Sequence, residues 1–169
     1  MIRRHDFNSE WWGEDVGIVS DSKFFEEPSR DQSAALRRFA WVEFVQPVSQ
    51  LPSRRALAAA GFFYADTQVR FRLDLRRTTP SQCSGHLAVE SAADSPFHIS
   101  PADIRPFLHE RFGVLPGITE SRLSARYSLW ASRLIASAPG TSLRFTLHGA
   151  TQGWFLAQRD QEGLELTLA

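Results

Sequence analysis

Residues 143–168 read LRFTLHGATQGWFLAQRDQEGLELTL, and this stretch decides the architecture. Leu143, Phe145 and Leu147 alternate with Arg144, Thr146 and His148, the period-two pattern of a strand with one apolar face. Gly149 to Gly153 supplies a turn, Trp154-Phe155-Leu156-Ala157 an apolar strand, and Gln161-Glu162-Gly163 a second turn. Leu164, Leu166 and Leu168 then alternate with Glu165 and Thr167. Connections this short join antiparallel neighbours, so a three-stranded meander is predicted, with these leucines and Phe145 buried.

Working upstream, Ser121 is a candidate cap for a helix in which Leu123, Tyr127, Trp130 and Leu134 form one apolar stripe. Arg122, Arg126 and Arg133 fall mostly off that stripe, and Ala138-Pro139-Gly140 ends the helix. Residues 112–119, with Gly113, Pro116 and Gly117, form a loop. Ser100-Pro101-Ala102-Asp103 predicts another helix, carrying Ile104, Phe107, Leu108 and Arg111 on one side. Residues 77–99 are polar and turn-rich at both ends and read as a linker, with a short strand at His86–Val89. Residues 1–76 form a first lobe of alternating short elements. Strands are expected at Val16–Val19, at Trp41–Val45 before Pro47, and at Gln68–Leu75. Helices are expected at Asp31–Phe39 and, behind a Ser53 cap, from Arg54 to Ala60, ending at Gly61. The expected fold is α/β with a mostly antiparallel mixed sheet, in two lobes: residues 1–76 and 100–169.

Composition narrows the function classes. The 169 residues are 43% hydrophobic and 22% charged, with 19 basic and 19 acidic side chains. A neutral chain lacks the electrostatic footprint of a nucleic-acid binder. No apolar run approaches the ~20 residues that span a bilayer. No signal-peptide core follows Met1, and a single cysteine, Cys83, fits a reducing compartment, so the expected location is the cytoplasm. Only Lys23 is lysine among the basic residues, which codon bias explains.

Helix, loop, helix and three antiparallel strands resemble the opening of the GNAT N-acetyltransferase fold. The resemblance is carried by Tyr127-Ser128-Leu129-Trp130, by Gly149-Ala150-Thr151-Gln152-Gly153-Trp154-Phe155 and by Leu164-Glu165-Leu166-Thr167-Leu168-Ala169. Asn8-Ser9-Glu10-Trp11-Trp12-Gly13, Leu57 through Phe62, and Asp66 through Phe71 are similar to the partial GNAT-like lobe found in two-lobe amino-sugar acetyltransferases. The resemblance implies acetyl transfer from acetyl-CoA to the amine of an amino sugar nucleotide. It also implies that the backbone of Leu166, Thr167 and Leu168 holds the cofactor's pantetheine arm.

The family's phosphate cradle, an Arg/Gln-x-x-Gly-x-Gly/Ala loop opening a helix, has no counterpart in these residues. The second lobe is therefore expected to stop after its fourth strand. The chain alone is expected to be inactive and to bind no cofactor firmly. A non-catalytic binding or assembly module on the same partial fold is the competing expectation. By resemblance, Glu165 is the candidate general base. Arg111, Arg122 and Tyr127 are candidate acceptor-binding residues beside the 112–121 loop. Trp11-Trp12 reads as a core anchor. His5, His86, His98, His109 and His148 lack metal-ligand spacing, and Cys83 lies in a polar stretch without a base, so neither a metal nor a thiol nucleophile is expected. The last strand leaves an open edge, expected to pair with a second copy or to be covered from within.

Overall fold

The computed structural model describes residues 1–69, 86–106, 110–159, 161 and 163–168. The chain divides into two compact units, Met1–Asp66 and Thr67–Ala169. Both are α/β, and the first boundary thus falls before residue 76. The expected strand at Gln68–Leu75 lies largely outside the described residues; Gln68 and Val69 are irregular and exposed. Cys83 and His109 also lie outside them. Among the described residues, no helix is long and apolar enough to cross a membrane.

The first unit is a three-stranded mixed sheet with three short helices. Strands β1 (Ile2–Arg4), β2 (Val16–Val19) and β3 (Trp41–Phe44) lie in that order, β1 antiparallel and β3 parallel to β2. The 3₁₀ turn Ser22–Glu26 and α2 (Ser29–Leu36) form the β2–β3 crossover. Helices α1 (Asp6–Trp12) and α3 (Arg54–Ala59) complete the unit. Ser53 caps α3 as expected, accepting from the Ala56 N–H at 3.2 Å. Neither β1 nor α1 was legible as an element. Helix α2 begins earlier than Asp31 because Pro28 opens its first turn. Gly17 is required by close approach: a Cβ there would lie 2.8 Å from the Ile2 side chain. The core is aromatic, built by Phe24 and Phe25 with Phe44 and Phe62. Trp11 and Trp12 are half-buried, and Trp12 meets Trp41 edge-on, with ring centroids 6.0 Å apart.

The second unit is a four-stranded antiparallel sheet with one long helix. The order is β4 (Leu87–Ser91), β5 (Ser142–Leu147), β6 (Ala150–Arg159), β7 (Leu164–Leu168). The segment read as a linker therefore contributes an edge strand, and the meander is real. Helix α4 (Glu120–Ser137) packs on one face. Its cap is Thr119, not Ser121: the Thr119 hydroxyl accepts from the Arg122 N–H at 3.2 Å. The helix expected from Ser100 is a single 3₁₀ turn, Pro101–Asp103, after which Ile104 is extended. Pro106 explains the stop, because its ring disfavours helical geometry at Arg105.

Two register expectations are corrected. Antiparallel partners share a face, and Ser142 pairs with Leu156 while Arg144 pairs with Trp154. Leu156 shares a buried cluster with Ala131 and Leu134 of α4, and Trp154 packs against that cluster. The face of β5 toward the helix is thus Ser142 and Arg144. Leu143, Phe145 and Leu147 lie on the opposite face, half-buried, beside Phe155, Val89 and Leu87. On β7, a bulge sets Leu168 opposite Leu156 but Leu166 opposite Ala157. Leu168 joins the core, whereas Leu164 and Leu166 are 51% and 49% exposed. The turn also shifts. His148 and Gly149, with φ of 51° and 79°, make the connection, and Ala150 to Gly153 already belong to β6.

Candidate functional site

The second unit contains a cleft between the inner face of β6–β7 and the segment His98–Arg105. That segment is not regular secondary structure for most of its length, so its carbonyls need other partners. Two buried serines one turn apart on α4 provide them. Ser128 donates to the Ile99 carbonyl at 2.8 Å, and Ser124 to the Ile104 carbonyl at 3.2 Å. Ser124 and Ser128 fall on one helical face with Tyr127 and Ala131. Leaving either carbonyl buried without a partner would cost ~1–3 kcal/mol, so the serines fix one wall of the cleft. Ile99, 2% exposed, anchors the same wall in the core.

The cleft has two continuous parts that share Asp103, Arg105 and Trp154. An apolar part of about 240 Å³ is lined by Ile99, Ile104, Tyr127, Gly153, Leu156 and Leu168 besides these. A polar mouth of about 560 Å³ adds His98, Arg144, Thr151 and Gln152. Arg144 is held by Glu90: its Nη2 and Nε lie 2.5 and 3.2 Å from one carboxylate oxygen, and the guanidinium sits 5.3 Å from the Phe97 ring centre. Arg105 makes no hydrogen bond or ion pair among the described residues. Asp103 Oδ2 accepts from the Ser100 hydroxyl at 2.6 Å and the Ser100 N–H at 2.8 Å. Those bonds hold the Asp103 carboxyl below the ordinary carboxylate range, so it is ionised at neutral pH.

Tyr127 closes the apolar end. Its hydroxyl donates to Glu110 Oε2, while Glu110 Oε1 accepts from the Phe112 N–H at 3.3 Å. Burial first, then the bond to Glu110 and its charge, hold the phenol well above its ordinary range; Arg126 and Arg111 offset this only in part. Tyr127 is thus a fixed neutral donor. Arg126, expected off the apolar stripe, is only 6% exposed and stacks 4.2 Å from the Phe112 ring centre. A planar guanidinium packs there because aromatic faces, not water, surround it.

Of the residues singled out in the sequence, Tyr127 and Leu168 meet in this cleft. Arg111 lies within electrostatic reach of Tyr127 and stacks 4.6 Å from Phe112. Arg122 sits half-buried in the first turn of α4, away from the cleft lining. Glu165 is exposed on β7 opposite Gln158, outside the lining, and Thr167 donates to the Glu165 carbonyl at 3.3 Å. Sequence reasoning missed His98, Arg105, Arg144 and Trp154. One sequence signal bore on Arg105, since Pro106 opposes helix there; none bore on His98, Arg144 or Trp154, because strand pairing sets Arg144 opposite Trp154.

No protein-family model matches the chain, and neither a curated protein nor a solved structure does.

Proposed function

We propose that the second unit is the acceptor-binding half of an acyl-CoA-dependent N-acyltransferase of the GNAT type, taking a small-molecule primary amine; the resemblance points to an amino sugar nucleotide. The cleft carries this reading: a fixed pocket with an apolar floor and a charged mouth, on the inner face of the last two strands. The order of elements supports it in part: α4 followed by β5 to β7 keeps the second helix and the three antiparallel strands on which the resemblance rests, while the first helix of that order is a single 3₁₀ turn here. Bound acetyl-CoA would supply an activated thioester carbonyl. Among the described residues β7 is the sheet's outer strand, so its backbone at Leu166–Leu168 would have a ladder side for amide groups of a pantetheine arm. That part of the cofactor fits; the chain's residues contain no glycine-rich loop for its phosphates. Trp154, Leu156 and Leu168 would exclude water around the amine, and Tyr127, fixed by Glu110, would orient it.

Titration calorimetry of the full chain tests this reading. A primary amine, drawn from a dTDP-amino sugar and free apolar amino acids, is expected to bind one-to-one and to weaken at least tenfold in Leu168→Arg. Acetyl-CoA is expected to bind far more weakly. Failure of every amine to bind would overturn the reading. Micromolar one-to-one binding of acetyl-CoA would overturn the claim that these residues lack phosphate contacts.

A second reading, an assembly module, is favoured by the same outer strand. Leu164 and Leu166 are about half exposed on the strand that is outermost among the described residues, the arrangement that recruits another strand. Light scattering over a concentration series would show a dimer that Leu166→Lys dissociates. A monomer at all concentrations would overturn it.

A further inference from the structure

The mouth of the cleft presents opposite charges that are both incompletely used. Arg105 has no hydrogen-bonding partner among the described residues. Asp103 Oδ2 takes both Ser100 bonds, while Oδ1 accepts none among them. Arg144 spends Nε and Nη2 on Glu90 and retains Nη1. A guanidinium fork matches a carboxylate, and an ionised carboxylate matches an ammonium group. Directly behind both charges lies the apolar part of the cleft, formed by Ile99, Ile104, Leu156 and Leu168.

From this arrangement we infer that the cleft binds a zwitterion: an amino carboxylate whose ammonium meets Asp103, whose carboxylate meets Arg105, and whose apolar side group enters the pocket before Leu156. The inference rests on the acceptor-site reading above and names the class of acceptor. The charge count favours a carboxylate over a diphosphate. A diphosphate would bring about two negative charges beside Asp103 and Glu90, with one uncommitted guanidinium to receive them, and like charges at that range repel. The apolar pocket is suited to a branched aliphatic or aromatic side group, whose burial contributes ~25 cal/mol per Å².

Calorimetry with four probes tests the inference: L-leucine, 4-methylpentanoate (no amine), 3-methylbutylamine (no carboxylate) and a dTDP-amino sugar. Leucine is expected to bind, and each one-charge analogue to bind at least tenfold more weakly. Arg105→Ala is expected to erase the difference between leucine and 3-methylbutylamine, and Asp103→Asn that between leucine and 4-methylpentanoate. Arg105 has no partner to lose among the described residues, so its variant keeps the fold. The analogues probe Asp103 without touching the Ser100 turn. Equal binding of leucine and either analogue would overturn the inference while the acceptor site stands. Binding of the dTDP-amino sugar without leucine would also overturn it and favour a nucleotide acceptor. Binding of no probe would overturn the inference and the acceptor reading together.

Discussion

The two units place some of their polar groups differently. In the first, several charged and amide groups are spent on each other. Arg4 bridges Asp6 and Asp15 at 2.6 and 2.7 Å, and these carboxylates hold its guanidinium pKa above the ordinary value. His5 Nε2 lies 3.1 Å from Glu43, and His5 Nδ1 accepts the Asn8 N–H at 3.3 Å. Buried Gln32 donates to the Phe24 and Glu27 carbonyls at 3.0 Å each. In the second unit, serines bind the backbone of a wall, and Arg105 and one oxygen of Asp103 are left facing a cavity. A polar group satisfied internally holds a fold together, whereas one aimed into a cavity is available to a ligand. On the proposed reading, the first unit serves as scaffold and the second as the binding body.

The largest test of that contrast is core truncation. Phe24→Ala removes a ring that is 1% exposed and should cost ~3–5 kcal/mol. Leu156→Ala removes a fully buried side chain and should cost ~2–5 kcal/mol. Amide exchange read residue by residue should accelerate in β2 for the first variant, and in α4 and β6 for the second. Only the Leu156 change should abolish ligand binding in the cleft. Loss of binding in Phe24→Ala, with the second unit's exchange unchanged, would break the division of labour.

A smaller effect is expected at the wall. Ser128→Ala leaves the Ile99 carbonyl without its donor and should destabilise by ~1–3 kcal/mol in urea denaturation. It should also weaken ligand binding, because the segment carrying Asp103 and Arg105 loses its fixing point. Unchanged affinity would show that Ser124 alone suffices.

The smallest effect concerns pH. The Asp103 carboxyl is held below its unfolded value of ~3.9, so its contribution to stability is present above that pH and fades as pH falls through the folded value. Ser100→Ala removes the hydroxyl donor that contributes most, so Asp103 should titrate at higher pH than in the parent. Carbon-detected NMR titration reads this directly. An unmoved titration would assign the shift to the Ser100 N–H or to His98.

Much of the fold is written locally. Alternation placed β5 to β7, the run from Leu123 to Leu134 placed α4, and Ser53 and Gly61 bracketed α3, because periodicity and capping act over a few residues. Element ends moved where two signals competed, as at Thr119 against Ser121 and at Pro106 against the Ser100 helix start. Strand β1 was not legible, because three residues carry too little pattern. Of the candidate site, Tyr127 and Leu168 were visible, while Arg105 and Arg144 were not. A lone arginine acquires meaning only from what faces it.

The sequence by itself determined an α/β chain, neutral and with a single cysteine, with an antiparallel meander at one end and an amphipathic helix before it. Composition, period and turn chemistry are properties of neighbouring residues, and they survive being read in a line. Only the tertiary structure decided which face of β5 is the inner one. Both of its faces carry apolar groups or long side chains, and the choice was made by Trp154 and Leu156 on the partner strand, then by the bulge that turned Leu168 inward and Leu166 out. The same packing brought Asp103, Arg105 and Trp154 to one cleft. These residues are separated by a helix and a strand in the chain, so only long-range pairing could bring them together.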